Sequence, residues 1–251
     1  MKVLITGASS GIGKSLAMEF SKLNYDLILV ARNKEKLTEL KKELSPKGKV
    51  EIYPTDLTNQ ENCIKLHEKF PHIDILINNA GFGLFGEFST TSLEEELQMI
   101  DLNIKALHTL MKLYLQDMIK KDQGKILNVA SIAGFMSGPL MSTYYASKNY
   151  VVSLTTGVKE ELRKQKSHVK LSILCPGPVS TNFNKRAGVE FCLKSINSDQ
   201  VAKYTIKKLK KNKFYIIPGF KIRLLKAIVK MIPTNLLTKI VYHQQKRKKL
   251  V

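Results

Sequence analysis

Tyr144, Tyr145 and Lys148 stand together in Ser142-Thr143-Tyr144-Tyr145-Ala146-Ser147-Lys148, the start of a long helix-like stretch, and they are side chains suited to moving a proton. A helix brings residues three and four apart onto one face, so Lys148 lies one turn from Tyr144 and also near Tyr145. An ammonium beside a phenol favours the phenolate and draws its pKa down from about 10, toward a value useful near neutral pH. Spacing alone leaves both tyrosines open. Ser131 closes Asn128-Val129-Ala130-Ser131 at the end of a strand-like run. A hydroxyl there can donate to a carbonyl oxygen and stabilise charge developing on it, or it can cap the turn that follows.

Such side chains need a frame to hold them. Short apolar runs occupy Lys2–Thr6, Asp26–Ala31, Val50–Pro54, Ile73–Asn78, Lys125–Ala130, Val169–Cys175 and Phe214–Ile217. Between them lie helical patterns such as Ile12-Leu16-Phe20-Leu23 and Leu37-Leu40-Leu44. Strands apolar nearly throughout, alternating with helices, predict a parallel sheet covered on both faces. The expected fold is therefore α/β: a doubly wound, Rossmann-type, three-layer α/β/α sheet in a single domain. Its ligands belong at the carboxyl ends of the strands.

The turn after the first strand reads Thr6-Gly7-Ala8-Ser9-Ser10-Gly11-Ile12-Gly13 and leads into a helix. Glycines permit a tight turn there and let the backbone approach a pyrophosphate at the helix N-terminus. The spacing is Gly-x-x-x-Gly-x-Gly, not the commoner Gly-x-Gly-x-x-Gly. Strand two ends Leu29-Val30-Ala31-Arg32-Asn33, with no carboxylate until Glu35 to accept from an adenosine ribose. Arg32 instead offers a planar, permanently charged fork suited to a 2′-phosphate, although an exposed arginine at a strand end has the same look. Lys14 and Asn33 are lesser candidates. NADP(H) is expected ahead of NAD(H).

With its Thr-Gly-x-x-x-Gly-x-Gly opening, the chain resembles the short-chain dehydrogenase/reductase family, in its subgroup of about 250 residues. The resemblance runs from about Lys2 to Thr181 through six motifs in order. Its Tyr-x-x-x-Lys motif selects Tyr144 with Lys148 and leaves Tyr145 as a packing or pocket-wall residue. Ser131, thirteen residues earlier, matches the catalytic serine. Asn103, in Asp101-Leu102-Asn103-Ile104-Lys105, matches a fourth catalytic position, where the family's Asn sits in a helix interior and holds a water linking the lysine to solvent.

For the cofactor the resemblance implies contacts from Gly7, Ser9, Ser10, Gly11, Ile12, Gly13 and Arg32. Asp56 and Leu57 would lie against the adenine, and Asn79, Ala80 and Gly81 would line the adenosine ribose, Asn79 serving backbone groups more than the cofactor. Tyr144 and Lys148 complete the set, with the loop Cys175-Pro176-Gly177-Pro178-Val179-Ser180-Thr181, whose Pro176, Gly177, Val179 and Thr181 would hold the nicotinamide carboxamide. The function implied is an NADP(H)-dependent oxidoreductase, a carbonyl reductase or alcohol dehydrogenase, in a homodimer or homotetramer. The alternative is a non-catalytic NADP(H)-binding sensor or scaffold, which would be expected to have lost Tyr144, Lys148 or Ser131.

The variable substrate lid of the family falls on Asn182–Asn197, where Phe183, Phe191 and Leu193 imply an apolar pocket or packing onto the core. A basic tail that meets membrane would make an apolar carbonyl substrate, such as a 3-oxoacyl chain or a sterol-like ketone, the expected one. Cys63, Cys175 and Cys192 are few and far apart, with no metal spacing, and read as small buried hydrophobes in a reducing compartment. The opening apolar run is too short for a signal peptide, so a cytoplasmic location is expected.

Net charge is +20 at pH 7, and fifteen of the forty-one Lys and Arg lie between Lys203 and Lys249, with no acidic residue after Asp199. The basicity thus belongs to a tail element, and the chain divides into a catalytic region, 1–219, and a basic amphipathic helical extension, 220–251. There Leu224, Leu225, Ile228, Val229 and Ile232 stand among Lys221, Arg223, Lys226 and Lys230, and Thr234 is the expected N-cap of a last helix carrying Leu236, Leu237, Ile240 and Val241. Three uses stay open: peripheral contact with an anionic membrane, packing on its own domain or a partner subunit, and binding of nucleic acid or acidic partners. The first 202 residues lend nucleic acid no support.

Overall fold

Successive side chains of a strand point to opposite faces, so a strand that is apolar throughout must be covered on both. The first strand, β1 (Lys2–Thr6), shows this directly. Val3 and Ile5 enter one core with Leu16 and Phe20, while Leu4 enters another with Leu66, Leu76 and Tyr114. The computed structural model describes residues 1–44, 48–180, 189–190, 195–229, 231–247 and 249–250.

In chain order β1 is followed by α1 (Gly11–Lys22), β2 (Asp26–Ala31), α2 (Lys34–Glu43), β3 (Val50–Pro54), α3 (Gln60–Lys69) and β4 (Ile75–Asn78). Next come α4 (Leu93–Ile100), a π-helical segment over Asp101–Ala106, α5 (Leu107–Lys120), β5 (Lys125–Val129), a 3₁₀ turn over Ile132–Phe135 and α6 (Ser142–Lys164). The chain continues through β6 (Lys170–Leu174), β7 (Val179–Ser180), β8 (Val189–Glu190), β9 (Ile196–Asn197) and α7 (Ser198–Lys210). It ends with β10 (Tyr215–Ile216), α8 (Phe220–Val229), α9 (Thr234–Lys246) and β11 (Lys249–Leu250).

Seven strands form one parallel sheet in the order β10-β6-β5-β4-β1-β2-β3. Chain direction across the sheet reverses between β1 and β4, the place where a doubly wound sheet opens a crevice for ligands. The expected fold class is the observed one, and the seven expected strands are these seven, some trimmed by one or two residues at the ends. Short pairings β7 with β9 and β8 with β11 add two small ribbons.

Helices α8 and α9 fold back over the domain. Val229, Leu237 and Val241 are buried together against Phe135, Met136, Tyr145 and Ile232. Lys226 lies over the Tyr215 ring, 3.1 Å from its centroid, so this lysine covers aromatic surface. Thr234 does not cap α9: it is the first residue of the helix, Pro233 occupies the capping position, and its oxygen instead accepts from the Thr238 hydroxyl through the main chain at 2.8 Å. A proline whose φ suits the position just outside the first turn leaves the threonine inside it.

Candidate active site

A cleft of about 650 Å³ runs along the carboxyl ends of β1, β2, β4, β5 and β6. Of the residues expected at the site, Gly13 and Asn103 lie behind the wall, and Thr181 lies outside the described residues. The others line the cleft. Most of the expected substrate lid, with Phe183, Phe191, Leu193 and also Cys192, lies outside the described residues as well.

At one end, β1 runs into α1 through Gly7, whose φ of +64° is a left-handed conformation that a side chain would strain. A Cβ on Gly13 would stand 2.3 Å from the Gly7 oxygen and 2.5 Å from Asn79 Nδ2, so the turn is pressed against β4's end. Asn79 holds that contact: its Nδ2 donates to the oxygens of Thr6 at 2.9 Å and Gly7 at 3.2 Å. The Asn79 amide therefore serves backbone groups while its residue also faces the cleft. Ser10, the N-cap of α1, makes no side-chain cap hydrogen bond, and the first turn holds no acidic residue. Unsatisfied N–H groups and the positive end of the helix dipole thus face the cleft, which fits a pyrophosphate.

Beyond this turn the wall carries Arg32, Asn33 and Lys36. Arg32 is half exposed and stands 3.8 Å from Asp56, a loose surface pair that leaves its fork available. Asp56 is held by Thr58, whose N–H and hydroxyl donate to Oδ1 at 3.0 and 2.9 Å. Asn33 is committed elsewhere, accepting from Lys36 N as the cap of α2. Lys14 pairs with Glu43 at 2.8 Å. Lys36 was missed at the sequence level. A cation in the first turn of a helix opposes the dipole, and that mismatch was the available signal for an anion nearby.

Where β5 and the start of α6 meet, Ser131, Tyr144 and Lys148 converge. The Ser131 hydroxyl favours the charged form of the Tyr144 phenol, and its Oγ donates to the Pro176 oxygen at 3.5 Å. Its oxygen also accepts from Ala133 N at 3.2 Å, so the capping role and the cleft-facing role coexist in one side chain. Lys148 is buried, donates to the Val129 oxygen at 3.0 Å, and holds its Nζ 5.8 Å from the Tyr144 ring centroid. Burial pulls the Lys148 ammonium down to about 8. Tyr144 moves the other way: burial raises its pKa above the ordinary value, against a lowering by the Ser131 hydrogen bond and with a small rise from Tyr145. The lowered phenol expected from helical spacing is thus corrected. The lysine donates to a main-chain carbonyl and is itself desolvated, and burial dominates at the phenol.

Tyr145 lines the same cleft, its ring edge-on to that of Tyr144 with centroids 6.0 Å apart. Its ring covers Gly138, where a Cβ would stand 2.3 Å from the ring, and its hydroxyl accepts from Gln245 Nε2 of α9 at 2.7 Å. Asn103 sits in the π-helical segment, a type of distortion often found at functional sites. Its Oδ1 accepts from Phe82 N at 3.0 Å, and its Nδ2 donates to the Phe82 oxygen at 2.9 Å and to Ser147 Oγ at 3.1 Å. The amide clamps the chain just after Gly81, where a Cβ would come within 2.8 Å of Asn103 and 3.5 Å of Lys148 Nζ. Cys63 and Cys175 are buried, and burial pushes both thiols up to about 12, so neither is a ready nucleophile.

The apolar wall facing Tyr144 comes from an unexpected source. Met136 and Met141 lie beside it, but Leu225 and Val229 of α8 and Leu237 and Val241 of α9 complete it. The tail therefore packs on its own domain along one face and builds part of the cleft. It also buttresses the loop after β6: a Cβ on Gly177 would meet Ile222 of α8 at 2.7 Å. No periodicity could have placed these residues, because a helix's inward face does not reveal what it is packed against.

Comparison with known proteins matches this arrangement to a family. The family model for short chain dehydrogenases matches residues 1–190. The human protein named dehydrogenase/reductase SDR family member 7 is 37% identical over 216 residues, covering 82% of this chain and 63% of its own length, so this chain spans less than two thirds of that relative. Among solved structures, the short-chain dehydrogenase from Sphingobium yanoikuyae in complex with NADPH superposes with a TM-score of 0.84 at 29% identity, covering 94% of both chains. A short-chain dehydrogenase/reductase from Burkholderia phymatum in complex with NAD does so with a TM-score of 0.81 at 26% identity, covering 91% of both. The chain belongs to the short-chain dehydrogenase/reductase family, and its fold is that of oxidoreductases.

Proposed function

We propose that the protein is an NADP(H)-dependent carbonyl reductase, or in reverse an alcohol dehydrogenase, acting on an apolar ketone. The observation that carries this reading is the convergence of Ser131, Tyr144 and buried Lys148 on one cleft whose other end is a glycine cradle beneath an uncapped helix terminus. Gly7 and Gly11 line the cradle for the pyrophosphate while Gly13 lets the turn seat against the end of β4, Arg32 and Lys36 supply cations for a 2′-phosphate, and Pro176, Gly177 and Val179 border the nicotinamide end. A bound nicotinamide supplies or takes the hydride.

The chain's own residues handle the oxygen. Ser131 donates to the carbonyl oxygen as negative charge builds there. Tyr144, whose raised pKa keeps it protonated at neutral pH, gives its proton to that oxygen. Lys148, its Nζ 5.8 Å from the Tyr144 ring centroid, supplies positive charge near the phenolate this leaves. Asn103 acts as a positioning residue, fixing the chain after Gly81 against α6. Leu225, Val229, Leu237 and Val241 exclude water and favour an apolar substrate body, such as a 3-oxoacyl chain or sterol-like ketone.

The test is a screen of carbonyl compounds for cofactor oxidation, with NADPH and NADH side by side, repeated with Tyr144→Phe. Turnover with apolar ketones and NADPH, lost by at least about a thousandfold in the variant while NADPH binding persists, is expected. A variant that still turns over would remove Tyr144 from the reaction.

A further inference from the structure

The tail shows two faces. In α8, Ile222 and Val229 pack inward, while Phe220, Leu224 and Ile228, spaced by four, form a stripe on the other side. Phe220 is 71% exposed, and Met231, in the short connection to α9, is 84% exposed. Leu236 and Ile240, one turn apart, continue exposed apolar surface on α9. Large aliphatic side chains set open to water in this number mark a surface that meets something apolar. Around them stand Lys221, Arg223, Lys239, Lys246 and Arg247, and the chain carries no carboxylate side chain beyond Asp199.

We infer that α8 and α9 form a docking surface for an anionic lipid bilayer. An exposed apolar stripe on helices whose own charged side chains are all cationic is the pattern of a helix lying in the headgroup region, its aliphatic side in the acyl boundary and its Lys and Arg toward lipid phosphates. A second copy of the chain fits worse, because a two-fold interface would bring these two helices, whose charged side chains are all basic, against themselves. Nucleic acid fits worse too, since the exposed apolar groups are mainly aliphatic and offer few planes for bases to stack on. No helix among the described residues is long and apolar enough to cross a membrane, so the contact is peripheral.

The same helices wall the cleft, and this links the surface to the chemistry. Leu225 and Ile240 line the cleft while remaining 38% and 45% exposed, so the apolar lining continues out to the docking face. A ketone dissolved in the outer acyl layer can reach Tyr144 along that lining without crossing water. This delivery route rests on the carbonyl reduction proposed above; the docking does not.

Co-sedimentation with vesicles separates the two, because it needs neither substrate nor turnover. The probes are phosphatidylcholine vesicles and vesicles holding roughly one third phosphatidylserine. The full chain should pellet with the anionic vesicles and stay in solution with the neutral ones. Binding should fall at least about tenfold in roughly 0.5 M salt and in L224E/M231E/L236E, which changes no cleft residue and should keep its NADPH affinity. If that variant has lost NADPH affinity, the salt response of the unaltered chain decides: release supports docking and retention overturns it. Failure to pellet with anionic vesicles overturns the inference, as does a variant that pellets like its parent. A dimer in solution that the variant splits assigns the face to a second copy and overturns it as well.

Discussion

At the scale of single residues, burial sets the protonation of the site. Lys148 is lowered to about 8 by burial, so between about pH 8 and its unfolded value of 10.5 the unfolded chain binds more protons than the folded one. Stability contributed by this group therefore rises with pH across that window and is lost as pH falls through about 8. In Lys148→Met the charge is gone, so the stability of the parent relative to this variant should climb between pH 8 and 10.5. Urea unfolding at a series of pH values measures it, and a constant difference would mean that the ammonium is not desolvated as the structure has it. Arg32 carries the cofactor preference in the proposed reading. Replacing it by Asp removes a charge-assisted fork and adds a carboxylate suited to ribose hydroxyls, so the NADPH Kd should rise by roughly ten- to a hundredfold while NADH gains. Equal losses for both cofactors would place the preference elsewhere.

At the scale of elements, the turn between β1 and α1 and the end of β4 behave as one unit. Gly13 is required less by its own φ than by the Gly7 oxygen and the Asn79 amide pressed against it. A methyl group there forces the turn off β4, at a cost of about 2–3 kcal/mol for overpacking. Gly13→Ala should therefore lower the Tm by several degrees and weaken NADPH binding together. Loss of affinity at an unchanged Tm would show that the turn can yield without disturbing the sheet. The π-helical segment is a second such unit, in which the extra residue turns the Asn103 amide to the Phe82 main chain.

At the scale of the whole molecule, the tail completes the cleft. A chain ending at Gly219 would lose Leu225, Val229, Leu237 and Val241 from the wall, the Ile222 buttress of Gly177 and the Gln245 partner of Tyr145. The glycine cradle and Arg32 would be untouched. Such a truncation should raise the KM for apolar ketones at least about tenfold more than the NADPH Kd, and binding of NADPH also verifies that it has folded. A parallel rise in both would mean that the tail supports the domain rather than the substrate. The truncation is thus a poor probe of membrane contact alone, which is why the substitutions proposed for that purpose leave the helices in place.

Local pattern determined much here. Uninterrupted apolar strands such as Leu27-Ile28-Leu29-Val30 need cover on both faces, which makes the sheet parallel and the fold doubly wound. The glycine spacing after β1 and the four-residue step from Tyr144 to Lys148 are short-range facts, so both could be read directly, and they lie on one cleft. Three things needed the tertiary structure. The direction of the Tyr144 shift depends on how deeply phenol and ammonium are buried, which spacing does not contain. The Asn103 amide finds Phe82 and Ser147, partners 21 and 44 residues away. The basic tail reads as amphipathic from its own residues, but which neighbour its apolar face meets depends on long-range packing, and that packing puts one face of α8 and α9 in the cleft wall while another stays exposed.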